Sequence, residues 1–218
     1  MTTRSRYLYI VCLLAFQWAC YPKGAEYSDE LDLVYTNYTS DFDFSARKTY
    51  SIPDSIIKVN GDDFSDPDGD GKPDFLSQAS ANVILNQLKQ NMNSYGWTLV
   101  NKDDHPDVIL LVATMTTTNI YYYYDWGYWG WYYPGYYPGW GWYYPGYYYP
   151  PYITGYRSGS ILIQMTDNQP APSPSTDNIP VVWNCIINGL AEGSSANISA
   201  RTQVNIDKAY SQSPYLKH

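Results

Sequence analysis

The run Asp107–Thr118, DVILLVATMTTT, restricts the fold more than any other segment. It begins as unbroken apolar residues, the pattern of a strand in the middle of its sheet. Two further strands follow later in the chain. Gly159–Asp167 alternates, with Ile161, Ile163 and Met165 on one face, and Val181, Trp183, Cys185 and Ile187 alternate likewise. Between them NQPAPSPSTDNIP reads as a hairpin loop. Leu76, Ala79, Val83, Ile84, Leu88, Met92 and Tyr95 recur at the spacing of one helical face, and Gly96 is placed to end that helix. Ser195–Ser211 reads as a second helix, with Ile198, Thr202, Ile206 and Ala209 on one side and Ser194 or Ser195 as its cap. Near the start of this domain, FDFSARKTYSI reads as a strand, a bend and a strand closed by Pro53. Two helices against one face of a mostly antiparallel sheet is the natural two-layer solution. The expected class is therefore α+β, a single domain over residues 41–218 interrupted by a long aromatic insertion.

The first 19 residues read as an export signal rather than fold. Arg4 and Arg6 precede an apolar core, Tyr7–Phe16, too short to span a bilayer. The segment closes Gln-Trp-Ala-Cys, which resembles the lipobox of bacterial lipoproteins, with Gln17 where leucine is usual. That resemblance implies a diacylated Cys20 as the new first residue and an attachment to the membrane through lipid. Residues 20–40 then read as an acidic tether in which LDLVY could pair as an edge strand. Two of the 13 basic residues lie in the signal and none of the 21 acids, so the remainder carries a net charge of about −10. Nucleic acid, which demands a basic face, is not an expected partner. Cys185 is left without a partner thiol; a buried small hydrophobe is the reading, not a nucleophile.

In order along the chain, FDFSARKTY, the first helix, HPDVILLV, the GSILIQMTD strand, the VVWN strand and a closing helix ending AYSQSPYL resemble a lipoprotein family of Bacteroidetes, that of domain of unknown function 4136. The resemblance covers nearly all of the mature chain, including a variable aromatic insertion before the ILIQM strand. It implies an envelope lipoprotein, at the outer membrane, with an α/β domain. It brings no activity, substrate or catalytic residue.

Two local features carry chemistry. DPDGDGKPD sets Asp66, Asp68 and Asp70 at alternate positions, then Gly71 and Asp74. These are loop positions 1, 3, 5, 6 and 9 of an EF-hand-like calcium site, with the carbonyl of Lys72 at position 7. Alternating carboxylates on a tight loop converge on one hard cation, so a structural Ca²⁺ is expected, although Ser77 stands at position 12 where glutamate is usual. The competing reading is a solvated acidic turn.

The other feature is the insertion, 121–152. Twenty of its thirty-two residues are tyrosine or tryptophan, Asp125 is its only charge, and WGWYYPG occurs twice, eleven residues apart. Prolyl-glycine pairs mark turns, and neighbouring positions are equally aromatic, so no core strand is expected there. Aromatic side chains give large contact area at low entropic cost. The expected role is contact with an envelope protein or with a second copy, through Trp126, Trp129, Trp131, Trp140 and Trp142. Packing of the insertion back over the sheet comes close behind, then insertion at the membrane–water boundary and stacking on glycan or peptidoglycan, and no catalytic residue is expected.

Overall fold

The architecture is that of a computed structural model, which describes residues 32–59, 74–115, 132, 141–143, 159–169, 178–189 and 195–218. Its strands are β1 (Leu33–Tyr38), β2 (Thr49–Ser51), β3 (Ile57–Val59), β4 (Thr98–Leu99), β5 (Val108–Met115), β6 (Gly141–Tyr143), β7 (Ser160–Asp167) and β8 (Asn178–Asn188). The helices are α1 (Gln78–Ser94) and α2 (Ser195–Ser211). The strand order is β1-β8-β7-β5-β2-β4, with β3 also on β5 and β6 on β8. The long contacts β1–β8, β8–β7 and β7–β5 are antiparallel. The parallel contacts, made by β2, β3, β4 and β6, are only two or three residues long. The sheet is thus mixed and mostly antiparallel, in an α+β fold.

β5 holds the interior position its apolar run demands, with β7 on one side and β2 and β3 in succession on the other. Val108, Leu110 and Val112 pack with Ile161, Ile163, Met165, Cys185 and Ile187 under the helices. The opposite face is buried as well: Ile109, Leu111, Leu162 and Ile186 are at most 1% exposed, and so are the polar Gln164 and Thr166. A shift of register between Met165 and Thr166 moves the pairing of β7 from Trp183 to Val181, and Val182 and Trp183 then both enter the helix-side core.

α1 forms because Ala81, Ile84, Leu85, Leu88 and Met92 fall on one face and are buried there. Ser77 caps it, accepting from the Ser80 N–H at 3.4 Å. Gly96, at φ 94°, ends it: its N–H donates to Asn93 O and that of Trp97 to Met92 O, the paired bonds of a Schellman turn. α2 buries Thr202, Ile206, Ala209 and Tyr210. The helices run side by side in the same direction, since Gln87 and Asn91 of α1 both donate to Asp207, and the Tyr95 hydroxyl donates to Tyr210 O.

One expectation needs correction. FDF is not a strand: Asp43 accepts from the Ser45 N–H at 3.0 Å and starts a 3-10 turn, Phe44–Ala46. A short acidic side chain bonding its own downstream backbone outcompetes the ladder there. The edge strand that LDLVY offered within residues 20–40 is present: β1 pairs residue by residue along β8 from Leu33. Asp32, just before it, accepts from Arg201 and from Asn205 Nδ2, and Arg201 also donates to Gly189 O. This ion pair is buried on both sides.

Candidate functional site

β5 and β7 are direct neighbours, with Met115 opposite Ser160. A hairpin between such strands needs only two to five residues. The segment 116–159 is therefore grafted onto a strand connection, and the pairing of its flanks does not depend on its length. Besides Gly159, whose N–H donates to Met115 O, two parts of it are described. Gly141–Tyr143, in the second WGWYYPG copy, form β6 and run parallel to Asn178–Pro180 of β8, where no strand was expected. Tyr132, in the first copy, is buried to 9% exposure.

Tyr132 lines an open cleft of about 750 Å³ beside β4. Val100, Asn101, Lys102 and Asp104 of the turn after β4 form its floor, with Ile52 and Asp54 before β3 and Lys89 from α1 around it. The Lys102 ammonium stands 5.7 Å from the Tyr132 ring centroid, within cation–π range. Burial pushes the Tyr132 phenol up; the Ser51 hydroxyl opposes this, and the Asp54 and Asp103 charges add to it. Two cations, two carboxylates, an amide and a ring make a surface that suits a neutral, hydroxyl-rich ligand better than a strongly charged or wholly apolar one.

The acidic motif is described only at its end. Asp74 O accepts from the Lys58 N–H at 2.8 Å, Phe75 bridges to Ile57, and Leu76 N–H donates to Ile56 O, so the motif is tied to β3 directly before α1. Ser77, at loop position 12, is the helix cap. Asp66, Asp68, Asp70 and Lys72 lie outside the described residues, as do Cys20, Trp126, Trp129, Trp131 and Trp140; Trp142 is described only as backbone within β6. Among the described residues, no group of three His, Cys, Asp or Glu converges, and no helix is long and apolar enough to cross a membrane.

Cys185 is fully buried in β8, and burial pushes its thiol far up. A thiol is nucleophilic as thiolate, so this one is inert, as its sequence context suggested. Sequence reasoning did not find the cleft. Its residues are spread over four segments and none stands in a motif; the only available signal was Tyr132, indistinguishable from its aromatic neighbours.

The family model "Domain of unknown function (DUF4136)" matches residues 34–215. Among solved structures, the chain is similar to a DUF4136 family protein from Bacteroides thetaiotaomicron, with 28% identity, a TM-score of 0.62, and 85% of this chain and 97% of that one covered. It is more loosely similar to a PDZ domain protein from Parabacteroides distasonis (15% identity, TM-score 0.44, 86% and 37% covered). A PelC dodecamer from Paraburkholderia phytofirmans is looser still (11% identity, TM-score 0.36, 86% and 98% covered). No curated protein matches the chain.

Proposed function

The chain belongs to the DUF4136 family, and from that premise we propose a non-enzymatic, lipid-anchored protein of the cell envelope. In this reading Cys20 carries the lipid at the outer membrane, and the insertion 121–152 mediates protein interaction or assembly. The supporting observation is the graft itself. A segment with twenty aromatic rings and one charge is placed on the Met115–Ser160 strand connection, where the sheet needs only a short turn. A non-catalytic role is supported by the sealed Cys185 thiol. A structural Ca²⁺ held by Asp66, Asp68, Asp70, Asp74 and the Lys72 carbonyl would steady the start of α1, because the motif's end is pinned to β3.

Crosslinking in living cells from position 128, with Trp129, Trp131, Trp140 and Trp142 intact or all replaced by alanine, tests the arm. Loss of a specific crosslinked product in the tetra-alanine variant supports it; an unchanged pattern removes it. A chelator should lower the melting temperature if the acidic loop holds calcium, and an unchanged value removes the metal.

The second reading, a glycan- or peptidoglycan-binding accessory, is favoured by the cleft beside Tyr132. Tyr132→Ala would then reduce retention on immobilised peptidoglycan, while the tetra-alanine variant's crosslinks would not follow it.

A further inference from the structure

A separate cavity of about 280 Å³ lies between the first halves of α1 and α2, over the end of the sheet. Its apolar wall is Leu76, Val83, Ile84, Met115, Ile161 and Ile198. The volume sits near the lower bound for small-ligand pockets, ~300 Å³. Its threonines are less polar than their names suggest. Thr202 Oγ1 donates to Ile198 O at 2.7 Å and Thr114 Oγ1 to Ile57 O at 3.3 Å, so both hydroxyl protons are committed to backbone.

Lys58 is the cation of this lining. It is half-buried on β3, directly opposite Thr114 in the register, and no salt bridge joins it to a described carboxylate. The described lining holds no acid, in a chain whose net charge is −8. The charge left to be matched here is therefore positive. An uncharged apolar occupant would cover the ammonium without pairing it, at a desolvation cost. An apolar chain with an anionic head meets both halves of the lining.

We propose that this cavity binds one medium-chain free fatty acid, its acyl chain among Val83, Ile84, Met115, Ile161 and Ile198 and its carboxylate on Lys58. At about 30 Å³ per water-sized group, the space holds a chain of roughly nine or ten carbons. The site uses none of the residues on which the proposed function rests, so each can fail without the other.

Isothermal titration of the full chain with decanoate and with decanol, both below micelle-forming concentrations, tests it. Decanoate binds with one-to-one stoichiometry and decanol about tenfold or more weakly, the usual difference made by a charge-assisted bond. Lys58→Gln lowers decanoate affinity to that of decanol and leaves decanol unchanged. Val83→Trp, at a half-buried position, abolishes both. Circular dichroism melts establish that each variant is folded, and Lys58→Gln carries the test alone if Val83→Trp is not. No saturable decanoate heat, equal affinity for the two ligands, or decanoate binding indifferent to Lys58→Gln overturns the proposal.

Discussion

Where α1 and α2 finish, aromatic side chains and hydrogen bonds close the helix layer; where they begin, an ion pair and an open cavity take their place. At the finishing end, Trp183 Nε1 donates to Ser213 Oγ at 2.9 Å and Trp97 Nε1 to Leu216 O at 2.7 Å. Tyr215 stacks on Tyr38 at 3.8 Å, and the Tyr210 ring lies 5.3 Å from Tyr95 and 5.8 Å from Trp183. At the starting end Val83 and Ile198 are only half-buried, and the tie between α2 and β1 is the buried Asp32–Arg201 pair. The same two helices thus serve one end as closed core and the other as wall. Large apolar area, with the indole N–H groups of Trp97 and Trp183 both satisfied, gives rigidity. The buried Asp32–Arg201 pair ties the second end while leaving room beside it.

The comparison can be broken by mutation. Trp183→Ala should be the costliest change, about 4 kcal/mol in urea unfolding, because it opens a cavity in the closed end and strips Ser213 Oγ of its indole donor. A loss below about 1 kcal/mol would mean that the aromatic end is not what holds the layer. Asp32→Ala should cost about 3 kcal/mol by taking the Asp32 carboxylate away from the buried Arg201 guanidinium. Because the pair is buried, that loss should change little between low and high salt, whereas a strongly salt-dependent loss would place the pair in solvent.

Smaller effects sharpen the contrast through pH. Asp107, beside the closed end, accepts from the N–H groups of Lys48 and Thr49 and from the Thr49 hydroxyl, at 2.8 to 2.9 Å. Burial opposes its charge, yet these bonds and Arg47 outweigh it and hold the carboxyl below its usual range. A depressed folded value stabilises fully above the unfolded one, near 3.8, and is lost as pH falls through the folded one. Asp107→Asn should therefore cost about 1–2 kcal/mol at pH 7 and almost nothing near pH 2, read from paired urea titrations. Tyr50→Phe should be nearly neutral at pH 7, since the buried Tyr50 hydroxyl has no partner among the described residues. Burial raises its phenol to about 12, so the wild type loses stability as pH climbs from 10 towards 12. The phenylalanine variant should lose less over that range.

Periodicity made the central strand, both helices, β7 and β8 legible in the sequence, because each buries a face whose spacing shows in the residues themselves. It failed where local chemistry competes, as at Asp43, whose carboxylate turns FDF into a 3-10 bend. It also failed where burial has no apolar signature: Gln164 and Thr166 look like the outward face of β7, yet both are buried. The second strand read in FDFSARKTYSI is β2, but β3 and β4 were hidden because two or three residues carry no pattern. The cleft and the cavity were hidden for another reason. Lys58, Val83, Met115 and Ile198 become neighbours only through two helices running the same way over one sheet.

That shared direction has an electrical consequence. Every peptide unit of a helix points its dipole along the axis, equivalent to roughly half a charge at each end. Antiparallel neighbours would cancel; α1 and α2 add. The domain therefore has a polar axis, positive where the helices start and negative where they finish, superimposed on the net charge of −8 that the whole chain carries. Near a charged surface or partner such a body experiences a torque before it touches anything, and approaches with a preferred end forward.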